Sequence, residues 1–190
     1  MKKSCLILLA IFVAVLLWNP LNTQAASKVT FEFSVNDAGD GAILTRVYGD
    51  PSGTLTIPST YKGLPVRVIA NLGSCSNVTS LIIPEGVKII ESGVFGYMPS
   101  LRSLTLPSTL ESFGHNSFVF SEDVEIRTYG GAKYLGGPNN PYFILIGTTS
   151  DDLTSYEIHP WTKIIAGQAF ASCKNKIGRA SCRERVSLCV

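Results

Sequence analysis

Val78, Leu81 and Ile83, followed by Pro84, recur 23 residues later as Leu101, Leu104 and Leu106, followed by Pro107. The same step holds for Val87 and Leu110, Ile90 and Phe113, and Phe95 and Phe118. A period of this length constrains the fold more tightly than any composition figure, because it marks a repeat architecture. Each unit opens with an L-x-x-L-x-L pattern, whose alternating apolar residues suit a short strand with one face inward. It closes through a turn rich in Gly, Ser and Asn. One such unit has nothing against which to bury its apolar face, so stability has to come from stacking on its neighbours.

The period extends both ways. Leu153, Tyr156 and Ile158 lie 52 residues beyond Leu101, Leu104 and Leu106, and Phe170 lies 52 beyond Phe118. One regular unit plus one irregular unit of about 29 residues fills that gap. His159 then takes the place of Pro107. Upstream, Leu55 and Ile57 precede Pro58 in the same way, with three extra residues accommodated at the polar loop Tyr61-Lys62-Gly63. The expected fold is a mainly β solenoid of roughly four to five coils joined by short turns or 3₁₀ segments, one coil being irregular and longer. Val78, Leu81, Ile83, Leu101, Leu104 and Leu106 are expected to point inward, with Phe95, Phe118 and Phe170 as the repeated aromatic anchors.

The chain start reads differently. Lys2 and Lys3 precede an apolar run from Cys5 to Trp18, and Thr23-Gln24-Ala25 supplies the small residues a signal peptidase reads. Residues 1–25 are expected to be a secretory signal peptide, with Ala26 the near alternative for cleavage. Cys5 precedes the apolar core, which argues against a lipoprotein. No later run approaches membrane length, so export without a stable membrane span after cleavage is expected, and a secreted or cell-surface location with it. Residues 26–50 form lead-in strands, and 51–175 the solenoid. From 26 to 175 ten basic residues meet thirteen acidic ones, a net charge of −3. Nucleic acid is therefore excluded as an expected partner, since no basic footprint exists.

After Cys173 the periodicity stops. Lys176 to Val186 resembles the conceptual translation of a sequencing adapter, which implies that residues 176–190 are a non-native tail on a truncated reading frame. Cys75 and Cys173 occupy the same place in their coils, three residues after Leu72 and Phe170. Several coils at about 4.8 Å per strand separate them beyond the roughly 7 Å limit for a bridged pair. Both are expected to be reduced.

The I-P-S-T of Ile57 to Thr60, the I-P-E-G of Ile83 to Gly86, the L-P-S-T of Leu106 to Thr109, the I-I-x-x-x-x-F of Ile89 to Phe95 and the A-F-A-S-C of Ala169 to Cys173 resemble the BspA-type leucine-rich repeat family of bacterial and protist surface proteins. Tyr134-Leu135-Gly136 and Asn140-Pro141-Tyr142 resemble a long insert unit found in many members. Leu72-Gly73 departs from the usual Ala-Phe, and His159 from the usual Pro. The resemblance implies a surface-exposed or secreted solenoid acting in adhesion or protein binding, with host or cell-surface proteins or glycans as partners. It names no ligand and no catalytic residue, and fold alone does not fix function. The competing reading is a structural spacer or stalk carrying a lost C-terminal domain or anchor.

Chemistry-bearing residues are sparse. His115 and His159 stand near no Cys or carboxylate at metal-ligand spacing, and no nucleophile elbow, P-loop or zinc motif occurs. Asp151-Asp152 and Glu122-Asp123 lack the spacing of a calcium loop. Ser92 and Ser117 read as turn residues. No enzyme, metal or cofactor is expected. Asn77-Val78-Thr79 is a formal glycosylation acceptor. Tyr129, Tyr134, Tyr142, Phe143 and Tyr156 gather in the irregular coil beside glycines. Either they fill its wider interior, or a protruding loop presents Tyr134, Tyr142 and Phe143 to a partner, aromatics being good interface anchors.

Overall fold

The computed structural model describes residues 28–96, 98–115, 124–152 and 155–171. The signal-peptide segment, Phe118, Ser117, Glu122-Asp123, Leu153, Cys173 and the 176–190 tail lie outside the described residues. An antiparallel hairpin, β1 (Thr30–Val35) and β2 (Ala42–Tyr48), leads in, as its alternating Phe31, Phe33 and Leu44 anticipate. Two parallel columns follow. The first stacks β3 (Ser52–Thr56), β6 (Asn77–Ile82) and β8 (Ser103–Thr105). The second continues from β2 through β5 (Leu64–Ile69) and β7 (Ile89–Ile90) to β9 (Ser112–Phe113).

The ladder register repeats the sequence period. Leu81 lies beside Leu104, and Ile90 beside Phe113. The three extra residues of the first coil form a small hairpin between β4 (Thr60–Tyr61) and β5. Lys62 and Gly63 both have positive φ at its tip, as a two-residue turn with the right-handed twist of its flanking strands requires.

One apolar core runs through the stack. Val78, Leu81, Ile83, Phe95 and Leu101 are buried in it, with Leu72 filling the aromatic-anchor position of its coil. Cys75 is buried too; its thiol donates to the Leu72 carbonyl at 3.2 Å, and burial pushes its pKa up to about 11. Leu104 and Leu106 correct the inward expectation, since they pack on the core but are only half-buried. Among the described residues no next strand pairs with β8 to cover them. The connecting segments are turns and bends, and no 3₁₀ segment occurs among the described residues.

The fold then changes character. β10 (Arg127–Tyr129), β11 (Ala132–Gly137) and β12 (Asn140–Thr148) form an antiparallel meander. The strand expected across Leu153 to Ile158 is not formed in its described part, 155–158. Residues there run alongside the meander, with Glu157 N–H donating to the Gly130 carbonyl. β13 (Ile164–Ile165) restores parallel pairing with Ile144 and Leu145 of β12, and Gly167 N–H donates to the Phe113 carbonyl of β9 at 3.1 Å. The last coil thus ties the meander to the regular stack. Altogether the chain makes a mainly β solenoid of about five turns.

Candidate contact surface on the irregular coil

Three adjacent strands of the meander carry Tyr129, Tyr134 and Tyr142. The pairing register shifts between Lys133 and Tyr134, and such a shift re-aims the side chains beyond it. Tyr134 turns fully inward, joining Ala132, Leu145 and Ala169 in a second small core. Phe143 is buried in the main core. As surface contacts, Tyr134 and Phe143 are therefore corrected to interior residues, filling the wider coil; Tyr142 remains half-buried. Phe170 is also half-buried and packs on this second core, its ring 5.4 Å from that of Tyr156.

The buried Tyr134 still uses its hydroxyl. It accepts from the His159 N–H at 3.3 Å and has a long, 3.5 Å contact to the Glu157 carbonyl as donor. Burial raises its pKa, so the phenol stays protonated as that donor. These bonds hold residues 157–159 across the face of the meander. Gly130 makes the approach possible: its φ is +56°, and a Cβ there would collide with the Glu157 backbone.

On this support stands a patch of rings. His159 stacks on Tyr142 with centroids 3.8 Å apart and planes 13° apart. Tyr129 meets both edge-on, at 4.8 Å from His159 and 6.1 Å from Tyr142. The Tyr129 hydroxyl donates to Glu157 Oε1 at 2.8 Å, and this bond to a carboxylate raises its pKa. Trp161 lies edge-on to His159 at 5.4 Å and is 59% exposed, the most exposed large apolar side chain among the described residues.

Trp161 is held at both ends of its own peptide units. Its N–H donates to His159 Nδ1 at 3.1 Å, and its carbonyl accepts from Asn140 Nδ2 at 2.8 Å. The first bond uses the imidazole Nδ1 as its acceptor. Asn140 also accepts the Tyr142 N–H through Oδ1 at 3.2 Å. A large ring is thus presented to solvent on a backbone fixed by two side chains.

The sequence pattern singled out Tyr134, Tyr142 and Phe143, of which only Tyr142 reaches the patch. It read His159 as an ordinary residue and passed over Trp161, although His159-Pro160-Trp161 joins one of two histidines to one of two tryptophans. That scarcity was the available signal. Elsewhere, His115 is half-buried near Lys133, Asp151 and Gln168 around a cleft of about 350 Å³. Asn77 begins β6 and its amide donates to Asp50 Oδ1 at 3.1 Å. Among the described residues, no three His, Cys, Asp or Glu are grouped to hold a metal ion, and no helix is long and apolar enough to cross a membrane.

Residues 54–132 match a family model described as BspA type leucine rich repeat region, in six copies. A solved structure, that of the T. pallidum leucine rich repeat protein, superposes with a TM-score of 0.52 at 21% identity, over 75% of this chain and 64% of that one. At that identity the likeness concerns the fold alone, and the chain spans less than two-thirds of that protein's length. Comparison with curated protein sequences gives no match.

Proposed function

Because the chain carries a leucine-rich repeat domain of the BspA type, a class of module that binds or supports and does not catalyse, we propose that it is a secreted or cell-surface recognition module. It acts in protein binding or adhesion through the ring patch of Tyr129, Tyr142, His159 and Trp161. The observation that carries this reading is the exposed Trp161 ring, fixed by His159 and Asn140. Rigid aromatic area offers contact at low entropic cost, and tryptophan and tyrosine are enriched among the residues that dominate interface energies.

The test is a binding screen of the full chain against immobilised matrix proteins and glycans, repeated with Trp161→Ala and Tyr142→Ala. A partner that loses about tenfold or more in affinity to Trp161→Ala, at unchanged thermal midpoint, supports the reading. Partners bound equally by both folded variants would place the contact elsewhere.

A further inference from the structure

The four rings of the patch differ in what they leave open. Tyr142 and His159 cover one face of each other, 3.8 Å apart, and Tyr129 closes on both edge-on. Trp161 touches His159 across a steep angle of 71° and meets no other ring among the described residues. No described cation lies over it either. Its 59% exposure is therefore open ring face on a backbone held by His159 and Asn140.

The patch also carries hydrogen-bonding atoms that it does not use. Trp161 Nε1, His159 Nε2 and the Tyr142 hydroxyl make no hydrogen bond among the described residues. Glu157 is exposed, and while its Oε1 accepts from Tyr129, its second carboxylate oxygen bonds nothing described. A protein partner calls for the opposite arrangement, a core of contiguous apolar side chains with the polar groups kept to the rim. One open ring among unused donors and acceptors is the complement of a sugar ring, which has C–H groups on a face and hydroxyls around its edge. The negative face of an aromatic ring attracts such polarised C–H groups, and a few convergent polar atoms fix the orientation.

We infer that the patch takes a neutral pyranose unit of a glycan, with the C–H face of the sugar on Trp161 and its hydroxyls on the unused polar atoms of the neighbouring side chains. The inference rests on the reading of the patch as the contact surface and names the chemistry of what it contacts. Neutrality follows from charge. Glu157 is the charged side chain bonded to a patch ring, and residues 26–175 carry net negative charge, so a uronic or sulfated sugar would be brought against like charge. A single small ring held on one face binds weakly, at about millimolar affinity.

The sequence supplies its own reporter, since Trp18 and Trp161 are its two tryptophans and Trp18→Phe leaves Trp161 alone to fluoresce. The full chain with that change is titrated with methyl β-D-glucopyranoside and methyl β-D-galactopyranoside. Expected is a saturable change in Trp161 emission with at least one of them, at a midpoint of about 1 mM. Transfer of saturation from protein to sugar protons, measured by NMR, should fall at least about tenfold in Trp161→Ala at unchanged thermal midpoint. Methyl β-D-glucuronide, the glucoside ring with a carboxylate added, should bind at least about twofold more weakly than the glucoside, and Glu157→Gln should remove that difference. No change in emission with either neutral glycoside up to about 100 mM, or equal transfer in folded Trp161→Ala, would overturn the inference. Glucuronide binding as tight as that of the glucoside would overturn the neutral class. A protein partner whose Trp161-dependent binding survives enzymatic removal of its glycans would uphold the patch as the contact surface and overturn the sugar as its ligand.

Discussion

The regular stack and the irregular coil solve one problem by different means. In the stack, the coils up to that of β6 bury their apolar stripes under similar neighbours, so equivalent residues repeat at fixed intervals and bonds run from coil to coil. Lys88 reaches Glu111, 23 residues on, at 2.8 Å. In the irregular coil no neighbour matches. The meander buries Tyr134 and Leu145 against its own closing segment, and side chains such as Asn140 and His159 take over fastening that main-chain ladders perform in the stack. Periodicity thus produces stability with little surface individuality, and its interruption produces an exposed patch and an open edge.

The sharpest break of this comparison uses one residue type at two equivalent positions. Leu81→Ala removes a fully buried side chain between two strands and is expected to cost about 3 to 5 kcal/mol, as for core leucines that leave a cavity. Leu104→Ala acts at a half-buried edge site and should cost about 1 to 2 kcal/mol, since that side chain is only partly removed from solvent. Urea unfolding monitored by circular dichroism measures both. Equal losses would mean that the stack does not end at β8.

That difference marks the limit of what the sequence discloses. The columns, the inward side of Val78, Leu81, Ile83 and Leu101, and the extra hairpin at Tyr61 to Gly63 follow from period and alternation, because parallel neighbours impose the same environment on equivalent residues. The half-exposure of Leu104 and Leu106 does not follow. It depends on β10 pairing with β11 instead of β8, a choice between local antiparallel and non-local parallel pairing that the residues of β8 do not record. The patch was hidden for a related reason. Tyr134 and Tyr142 look alike in the sequence, and a register shift of one residue decides which turns inward.

A smaller effect tests the fastening of the irregular coil. Tyr134→Phe keeps the buried ring and removes the hydroxyl that accepts His159 N–H and reaches the Glu157 carbonyl. A loss of about 1 kcal/mol is expected, the usual net worth of such a bond. Hydrogen exchange should show its consequence confined to residues 157–161, while amides of β6 and β7 keep their protection. A uniform loss of protection across both regions would show that stack and meander unfold as one unit.

The smallest effect belongs to the stack's outer turns. Glu85, in the Pro84-Glu85-Gly86 turn, accepts from Ser108 N–H at 2.9 Å, from the Ser108 hydroxyl at 3.1 Å and from Thr109 N–H at 3.3 Å. Thr109 in turn receives Gly86 N–H and donates its hydroxyl to the Val87 carbonyl, both at 2.9 Å. The Ser108 N–H bond, foremost among these, holds the Glu85 carboxyl below its ordinary value of 4.5. A carboxyl depressed in the folded state contributes stability that is fully present above 4.5 and is lost as pH falls through that value and then through the lower folded one. The group is exposed, and solvent screening keeps its whole contribution under about 1 kcal/mol. Glu85→Gln should therefore lower stability slightly at pH 7 and bring it level with the parent chain once the pH has fallen below the folded value, as thermal unfolding from neutral pH into acid would record. A difference that persists undiminished in acid would show that the turn is held by packing, and that the coil-to-coil bonds of Ser108 and Thr109 add nothing to it.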